Sequence, residues 1–115
     1  MLVIEGYAGK SLEVEKYIET LVNQDVLIFT NDKQVFNYLV SESNNVYITE
    51  QFDAKDVEKV LGLNDRFSHV IFYLNVKKED VDTYKKLEYA YDLKAVLTVQ
   101  THDRENPREI SKYFV

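Results

Sequence analysis

Residues 69–76 read HVIFYLNV and form the most apolar run of the chain. Such a run is typical of a strand that lies at the centre of a sheet and is covered on both faces. Shorter runs of the same kind occur on either side of it. They are residues 2–4 (LVI), 25–30 (DVLIFT), 46–49 (VYIT) and 95–100 (AVLTVQ). The sequence therefore predicts five strands, of which residues 69–76 form the fourth.

Helical patterns separate these runs. From Ser11 to Asn23, apolar residues recur at helical spacing with Glu and Lys between them, which predicts a first helix. A second helix is expected after Asn31 or Asp32, either of which can act as its N-cap. Its predicted apolar face contains Val35, Phe36, Leu39 and Val40.

Three more helices follow from capping signals and spacing. Asp53 is expected to cap the third helix, which Gly62 should end in a left-handed conformation. A fourth is predicted from Glu79 to Tyr91. The pair Asn106-Pro107, taken as an N-cap and a first-turn proline, predicts a short final helix toward Phe114.

Alternation of strands and helices is typical of parallel strands joined by right-handed crossovers. We therefore expect a single α/β domain over residues 1–115, a three-layer sandwich around a five-stranded parallel sheet. The first strand is wholly apolar at Leu2-Val3-Ile4, so it should lie inside the sheet with a neighbour on each side.

Composition excludes several classes of protein. The chain has no Cys, which removes disulfides and thiolate metal sites and fits a cytoplasmic location. No apolar run approaches the roughly 20 residues of a membrane helix, so we expect no membrane partner. The net charge of −6 makes direct nucleic-acid binding unfavourable, because phosphate contacts need clustered Lys and Arg.

The carboxyl ends of parallel strands mark the edge of the sheet where ligands bind. Gly6-Tyr7-Ala8-Gly9-Lys10-Ser11 follows the first strand, so a glycine-containing turn opens into Gly-Lys-Ser at the start of a helix. This context is typical of a phosphate-binding loop. In such a loop, free N–H groups of the first helical turn attract an anion, and we expect Lys10 to neutralise its charge and the Ser11 hydroxyl to reach a magnesium ion. Gly6 and Gly9 complete the candidate binding set.

This segment resembles the P-loop nucleoside triphosphatases, and within them the recombinase and helicase-like branch. The resemblance implies the strand order 5-1-4-3-2, a nucleotide (ATP or GTP) or phosphate as ligand, and Glu50 as the catalytic base. Asn75 stands where a polar sensor residue often ends the fourth strand. The fifth strand often ends in Thr or Gln, as Thr98-Val99-Gln100 does here.

Two departures from that family concern the chemistry. The full motif G-x-x-x-x-G-K-[ST] requires Gly where Ile4 stands, so a loop that begins at Gly6 is shortened. Thr49 occupies the position of the aspartate that holds the metal's water shell. Three interpretations of Gly6–Ser11 therefore stay open: an ordinary turn with Lys10 exposed to solvent, a site of weak phosphate binding, and a hydrolytic site.

The remaining constellations have simpler explanations beside the functional ones. His102-Asp103 is either an acid–base pair or an exposed loop pair, with Arg104 beside it, and His69 fits a structural histidine. No metal site is indicated, since two His and no Cys give no ligand spacing. A response-regulator receiver requires an aspartate after the third strand and a lysine after the fifth, and neither is present.

Three functional hypotheses follow from these patterns. The first is a small accessory or regulatory protein on a P-loop-like scaffold, which acts through a protein partner and binds phosphate or nucleotide weakly at most. The second is a minimal ATP or GTP hydrolase completed by a homo-oligomer. The third is an acidic inhibitor of a nucleic-acid enzyme. Tyr7, Tyr89 and Tyr113 are expected at the surface, where aromatic side chains favour protein contacts.

Overall fold

The computed structural model describes residues 1–21, 23–36, 46–50, 54–63, 67–102 and 105–115. The strands are β1 (Leu2–Gly6), β2 (Val26–Thr30), β3 (Val46–Thr49), β4 (His69–Val76), β5 (Lys94–Gln100) and β6 (Ile110–Phe114). The α-helices are α1 (Lys10–Glu19), α2 (Ala54–Leu63) and α3 (Val81–Ala90). Two short 3₁₀ helices cover Lys33–Phe36 and Lys78–Asp80.

All six strands belong to one sheet in the order β3-β2-β4-β5-β1-β6. Strands β1 to β5 run parallel to their neighbours, whereas β6 pairs antiparallel with β1. The five predicted strands are confirmed. The expectation of a purely parallel, five-stranded sheet in the order 5-1-4-3-2 is wrong, because β5 separates β4 from β1 and a sixth strand is added.

The sixth strand replaces the short final helix predicted after Asn106-Pro107, so that prediction is wrong. The same dipeptide also favours a β-turn with Pro as its second residue. The Glu109 N–H donates to the Asn106 carbonyl at 3.2 Å and closes such a turn. The chain then leaves as a strand, in which Ile110 packs on one face of the sheet and Tyr113 on the other.

Strand β1 lies inside the sheet between β5 and β6, which confirms the expected position of this wholly apolar segment. Val3 and Ile4 have no solvent exposure and point to opposite faces. Full burial on both faces explains why the segment lacks alternating polar residues. Its antiparallel partner was not expected, since it depends on residues more than a hundred positions later.

Two apolar cores cover the faces of the sheet. One core includes Val57 and Leu61 of α2, Tyr84 and Leu87 of α3, and the inward side chains of the strands beneath them. The other includes Val14 and Ile18 of α1, together with Phe36 and the opposite strand face. The three-layer arrangement of the prediction is therefore present, with α1 on one face and α2 and α3 on the other.

Several helix boundaries differ from expectation. Gly62 lies within α2, which continues to Leu63, and its φ is not positive, so the predicted left-handed terminator is wrong. Of the predicted second helix, the described part forms a 3₁₀ turn at Lys33–Phe36. Leu39 and Val40 of its predicted face, and the predicted cap Asp53, lie outside the described residues.

Candidate functional site

The segment with the Gly-Lys-Ser sequence connects β1 to α1 at the carboxyl end of the sheet. Gly6 is the last residue of β1, and Lys10 is the first residue of α1. Gly9 precedes the helix with a φ of 84°, in the left-handed region that glycine adopts without strain. Because β1 pairs with β5, the segment lies beside Gln100 at the end of that strand.

The Lys10 side chain points inward, and only 3% of its surface is exposed. Its ammonium donates to the Gly6 carbonyl at 2.6 Å and to the Gln100 side-chain oxygen at 3.0 Å. A longer bond of 3.4 Å reaches the Tyr7 carbonyl. The prediction of an exposed Lys10 is wrong, and the reason is that three acceptors surround its ammonium within the protein.

Burial has an electrostatic effect on this ammonium. It lowers the pKa of Lys10 below the ordinary value for lysine, because the charged form loses water. The carbonyl and amide oxygens around the ammonium replace that water as acceptors. A lysine that binds phosphate must instead direct its ammonium to the ligand, so the observed geometry uses Lys10 as a cross-link between the loop and β5.

Gln100 completes the cross-link on the other side. Its side-chain nitrogen donates to the carbonyls of Tyr7 and Thr101, each at 3.0 Å. The Thr101 N–H in turn donates to the Gly6 carbonyl at 3.1 Å. The end of β5 and the loop after β1 are therefore joined by a closed set of hydrogen bonds. Sequence patterns placed Gln100 at this edge but did not identify it as the partner of Lys10.

Position 6 requires a glycine because of its surroundings and not because of its backbone conformation. A Cβ atom at Gly6 would lie 2.5 Å from Ile110 Cδ1 and 3.2 Å from the Glu109 carbonyl oxygen. The segment that leads into β6 thus lies so close to β1 that only glycine fits at position 6 without a shift of its neighbours. The Ala8 N–H also donates to the Pro107 carbonyl at 3.1 Å, which fixes the loop against the same segment.

A polar cleft of about 180 Å³ lies next to this loop. Its lining consists of Glu5, Thr101, Asn106, Glu109 and Ser111. Two carboxylates in such a small cleft repel an anion, and Lys78 offsets Glu5 only from 3.8 Å and from an exposed position. The electrostatics beside the loop therefore oppose phosphate, although the helix start itself favours it.

The structure does not bring Glu50 to the loop. Glu50 follows β3, which is four strand positions away from β1 in the sheet. Neighbouring strands lie about 4.8 Å apart, so this separation is about 19 Å. Thr49 and Glu50 therefore cannot act on a group held at Gly6, Gly9, Lys10 and Ser11. Ser11 is half-buried in the first turn of α1.

Asn75, the second-last residue of β4, has an unusual backbone conformation. Its φ is 49°, and the pairing of β4 with β5 shifts register between Phe72 and Val76. The Asn75 N–H donates to the Thr98 hydroxyl at 3.1 Å, while its side-chain oxygen is buried with no hydrogen-bond partner among the described residues. His102 is exposed, and Asp103 and Arg104 lie outside the described residues.

Within the described ranges, no three His, Asp or Glu side chains come close enough together to hold a metal ion. In the same ranges, every helix is too short or too polar to span a membrane. No protein family, curated protein or solved structure matches this chain.

Proposed function

We propose that this chain is a small accessory or regulatory domain that acts by binding a protein partner, with phosphate or nucleotide bound weakly at most. The observation that carries the proposal is the outward face of α3, where Tyr89 is 90% exposed beside a groove of about 350 Å³. This exposure agrees with the sequence-based expectation that Tyr89 lies at the surface.

Helix α3 has one side for the core and one for solvent. Tyr84 and Leu87 are buried against the sheet. The described lining of the groove comes from the opposite side, where Asp82, Lys85, Lys86 and Tyr89 lie. The aliphatic stems of the two lysines and the tyrosine ring give this groove an apolar floor with charged rims.

Such a surface is suited to a peptide segment of a partner protein. An exposed tyrosine supplies a large contact area at a small loss of conformational entropy, and tyrosines are frequent among the residues that dominate binding energy. The lining contains two lysines and one aspartate, so its own charge is positive in a chain whose net charge is −6. Charge complementarity therefore favours a segment that has an apolar side chain flanked by carboxylates.

The hydrolase hypothesis has less support from the geometry. It needs the Lys10 ammonium, which three internal acceptors occupy, and it needs Glu50, which is about four strand spacings from the loop. The acidic-inhibitor hypothesis has support from the net charge alone. Protein binding through α3 requires neither release of the Lys10 ammonium nor movement of Glu50 toward the loop.

Selection of short random peptides displayed on phage against the immobilised protein tests the proposal. We expect enrichment of sequences that combine an aromatic or aliphatic residue with Asp or Glu. For a synthetic enriched peptide, Tyr89→Ser should weaken binding roughly tenfold or more, equivalent to about 1.4 kcal/mol. Charge reversal by Lys85→Glu should weaken it as well.

Phe114→Ser is the matched control, because Phe114 is another exposed aromatic residue and lies on β6. This variant should bind the peptide with unchanged affinity. The proposal is wrong if no sequence is enriched, or if enriched peptides bind Tyr89→Ser as tightly as the unsubstituted protein.

A further inference from the structure

Strand β6 forms one end of the sheet, and among the described residues no strand pairs with its outer edge. Exposed strand edges present unpaired N–H and C=O groups and promote association with another strand. Proteins usually protect them by bulges, prolines or free charges. The segment Ile110–Phe114 has no proline, and its one charged residue, Lys112, is already bound within the chain.

The pairing with β1 determines which backbone groups of β6 face outward. Met1 and Val115 exchange two hydrogen bonds, of 3.0 and 3.2 Å. In an antiparallel ladder, such pairs alternate with pairs whose backbone groups point away. The backbone N–H and C=O groups of Ser111 and Tyr113 therefore point toward β1. Those of Ile110, Lys112 and Phe114 point outward.

The outward backbone groups of these three residues can pair with the same groups of a second copy of the chain. We propose that two copies of this chain associate through β6, antiparallel and in a register centred on Lys112, to form one continuous sheet. In that register, Lys112 lies opposite Lys112 of the partner subunit, and Ile110 lies opposite Phe114 of the partner subunit. Every outward N–H and C=O of the strand then has a partner, because opposed pairs of this type exchange two hydrogen bonds.

The side chains at the outward positions fit the same register. Ile110, Lys112 and Phe114 alternate along the strand and so lie on one face. Phe114 is 81% exposed in the single chain, and Ile110 of the partner subunit would cover it. Pairs of an aromatic and a β-branched residue across strands are among the stabilising combinations.

The central lysines do not prevent this association. Lys112 Nζ lies 2.9 Å from Glu13 Oε2 on α1. This contact is the main cause of a lowered Glu13 pKa. Two lysines and two glutamates would then surround the two-fold axis with no net charge. This surface belongs to β6 and α1, so the inference does not depend on the peptide groove of α3.

Sedimentation velocity over a range of protein concentrations tests the proposal. We expect a monomer–dimer equilibrium in the unsubstituted protein. Lys112→Pro removes one outward N–H but no bond to β1, and edge strands accept proline at such positions. It should therefore yield monomers. Lys112→Ala removes the same ion pair but keeps the N–H, so it is the matched control and should still dimerise.

A covalent test gives the register. The chain has no cysteine, so Lys112→Cys introduces a single thiol that lies on the proposed axis. The Cα atoms of a hydrogen-bonded antiparallel pair are about 5.5 Å apart, within the range of a disulfide. Mild oxidation with copper phenanthroline should convert Lys112→Cys to a disulfide-linked dimer. Lys16→Cys, on the exposed side of α1, should remain uncrosslinked.

Circular dichroism of each variant establishes that the fold is intact before these comparisons are made. The proposal is wrong if the unsubstituted protein stays monomeric at millimolar concentration, as it would if β6 pairs only with a strand of another protein. It is equally wrong if folded Lys112→Pro dimerises like Lys112→Ala, or if Lys112→Cys and Lys16→Cys crosslink to the same extent.

Discussion

The side-chain oxygen of Gln100 accepts a hydrogen bond of 3.0 Å from the Lys10 ammonium, ninety residues earlier in the chain. This contact ties the first turn of α1 to the end of β5. It also removes from the surface the lysine that a phosphate-binding loop directs toward its ligand. The Gly9-Lys10-Ser11 sequence thus has a structural explanation in this protein.

We expect Lys10→Met to lower the free energy of unfolding by about 1–3 kcal/mol. The substitution keeps a similar side-chain volume but removes the ammonium that donates to the Gly6 carbonyl and to the Gln100 side-chain oxygen. The Gly6 carbonyl keeps the Thr101 N–H as a donor, whereas the Gln100 oxygen loses its Lys10 donor, and loss of hydrogen bonds from a charged group carries a penalty of that size. Urea unfolding followed by circular dichroism measures the change.

Lys16→Met on the same helix is the control, since Lys16 is largely exposed and its contact with Glu13 is long, at 3.7 Å. Its effect should stay within about 0.5 kcal/mol. Equal stabilities of Lys10→Met and Lys16→Met would show that the cross-link contributes nothing to the fold.

Gly6→Ala should destabilise the protein by about 1–2 kcal/mol, because the new methyl group would lie 2.5 Å from Ile110 Cδ1. Ile110→Val removes that Cδ1 atom. Chemical unfolding of the two single variants and the double variant forms a double-mutant cycle. The double variant should be more stable than the sum of the single effects predicts. Strict additivity would mean that β6 does not approach Gly6 as described.

The stability of the fold should fall as the pH decreases below about 6.5, with His69 as one cause. Burial, followed by the positive charge of Lys94, lowers the pKa of His69 in the folded state. The unfolded chain then takes up a proton at a higher pH than the folded chain does. The free energy of unfolding therefore decreases as the pH falls through the unfolded-state pKa toward the folded-state pKa.

His69→Gln removes this group from the titration. The difference in the free energy of unfolding between His69→Gln and the unsubstituted protein, measured from pH 8 to pH 5, should shift in favour of the variant as the pH falls. His102→Gln is the control at an exposed histidine. A difference that does not depend on pH would mean that His69 titrates as it does in the unfolded chain.

Purified protein should show no turnover of ATP or GTP above background in the presence of magnesium. The Lys10 ammonium already donates to acceptors within the protein, and Glu50 is about four strand spacings from the loop. Phosphate release measured with a coupled colorimetric assay is sufficient. Turnover that Glu50→Gln abolishes without a change in melting temperature would favour the hydrolase.

Sequence patterns predicted the local features of the fold better than its long-range ones. Apolar runs located the first five strands, because burial of a strand on both faces leaves a direct signature in composition. The strand order was not predictable in the same way. It depends on which strands the crossover connections bring together as neighbours, and the apolar runs do not determine that. The segment Ile110–Phe114 was misassigned because Asn106-Pro107 is compatible with both a helix start and a turn.

Sequence patterns predicted where the segment Gly6–Ser11 lies in the fold, but not the contacts that Lys10 makes. The pattern correctly located the end of the first strand near Gly6 and the start of the first helix near Lys10 and Ser11, with Gly9 directly before the helix. It gave no information on the direction of the Lys10 side chain, whose ammonium bonds to the Gly6 carbonyl and to Gln100 on a strand distant in sequence. Exposure of a lysine is the usual outcome, and the pairing of β1 with β5 adds the distant acceptor Gln100 to the nearby carbonyls of Gly6 and Tyr7.

The most direct test of the structural role of Lys10 is the ¹⁵N NMR signal of its side-chain ammonium during a titration with magnesium and ATP, and separately with inorganic phosphate. Hydrogen bonds to Gly6 and Gln100 should slow exchange of these protons and keep the signal observable. We predict that its chemical shift stays constant up to about millimolar ligand, a range that corresponds to roughly 4 kcal/mol of binding free energy. A saturable shift of the Lys10 ammonium together with the backbone amides of Gly9 to Leu12 would contradict this account and show that the loop binds phosphate.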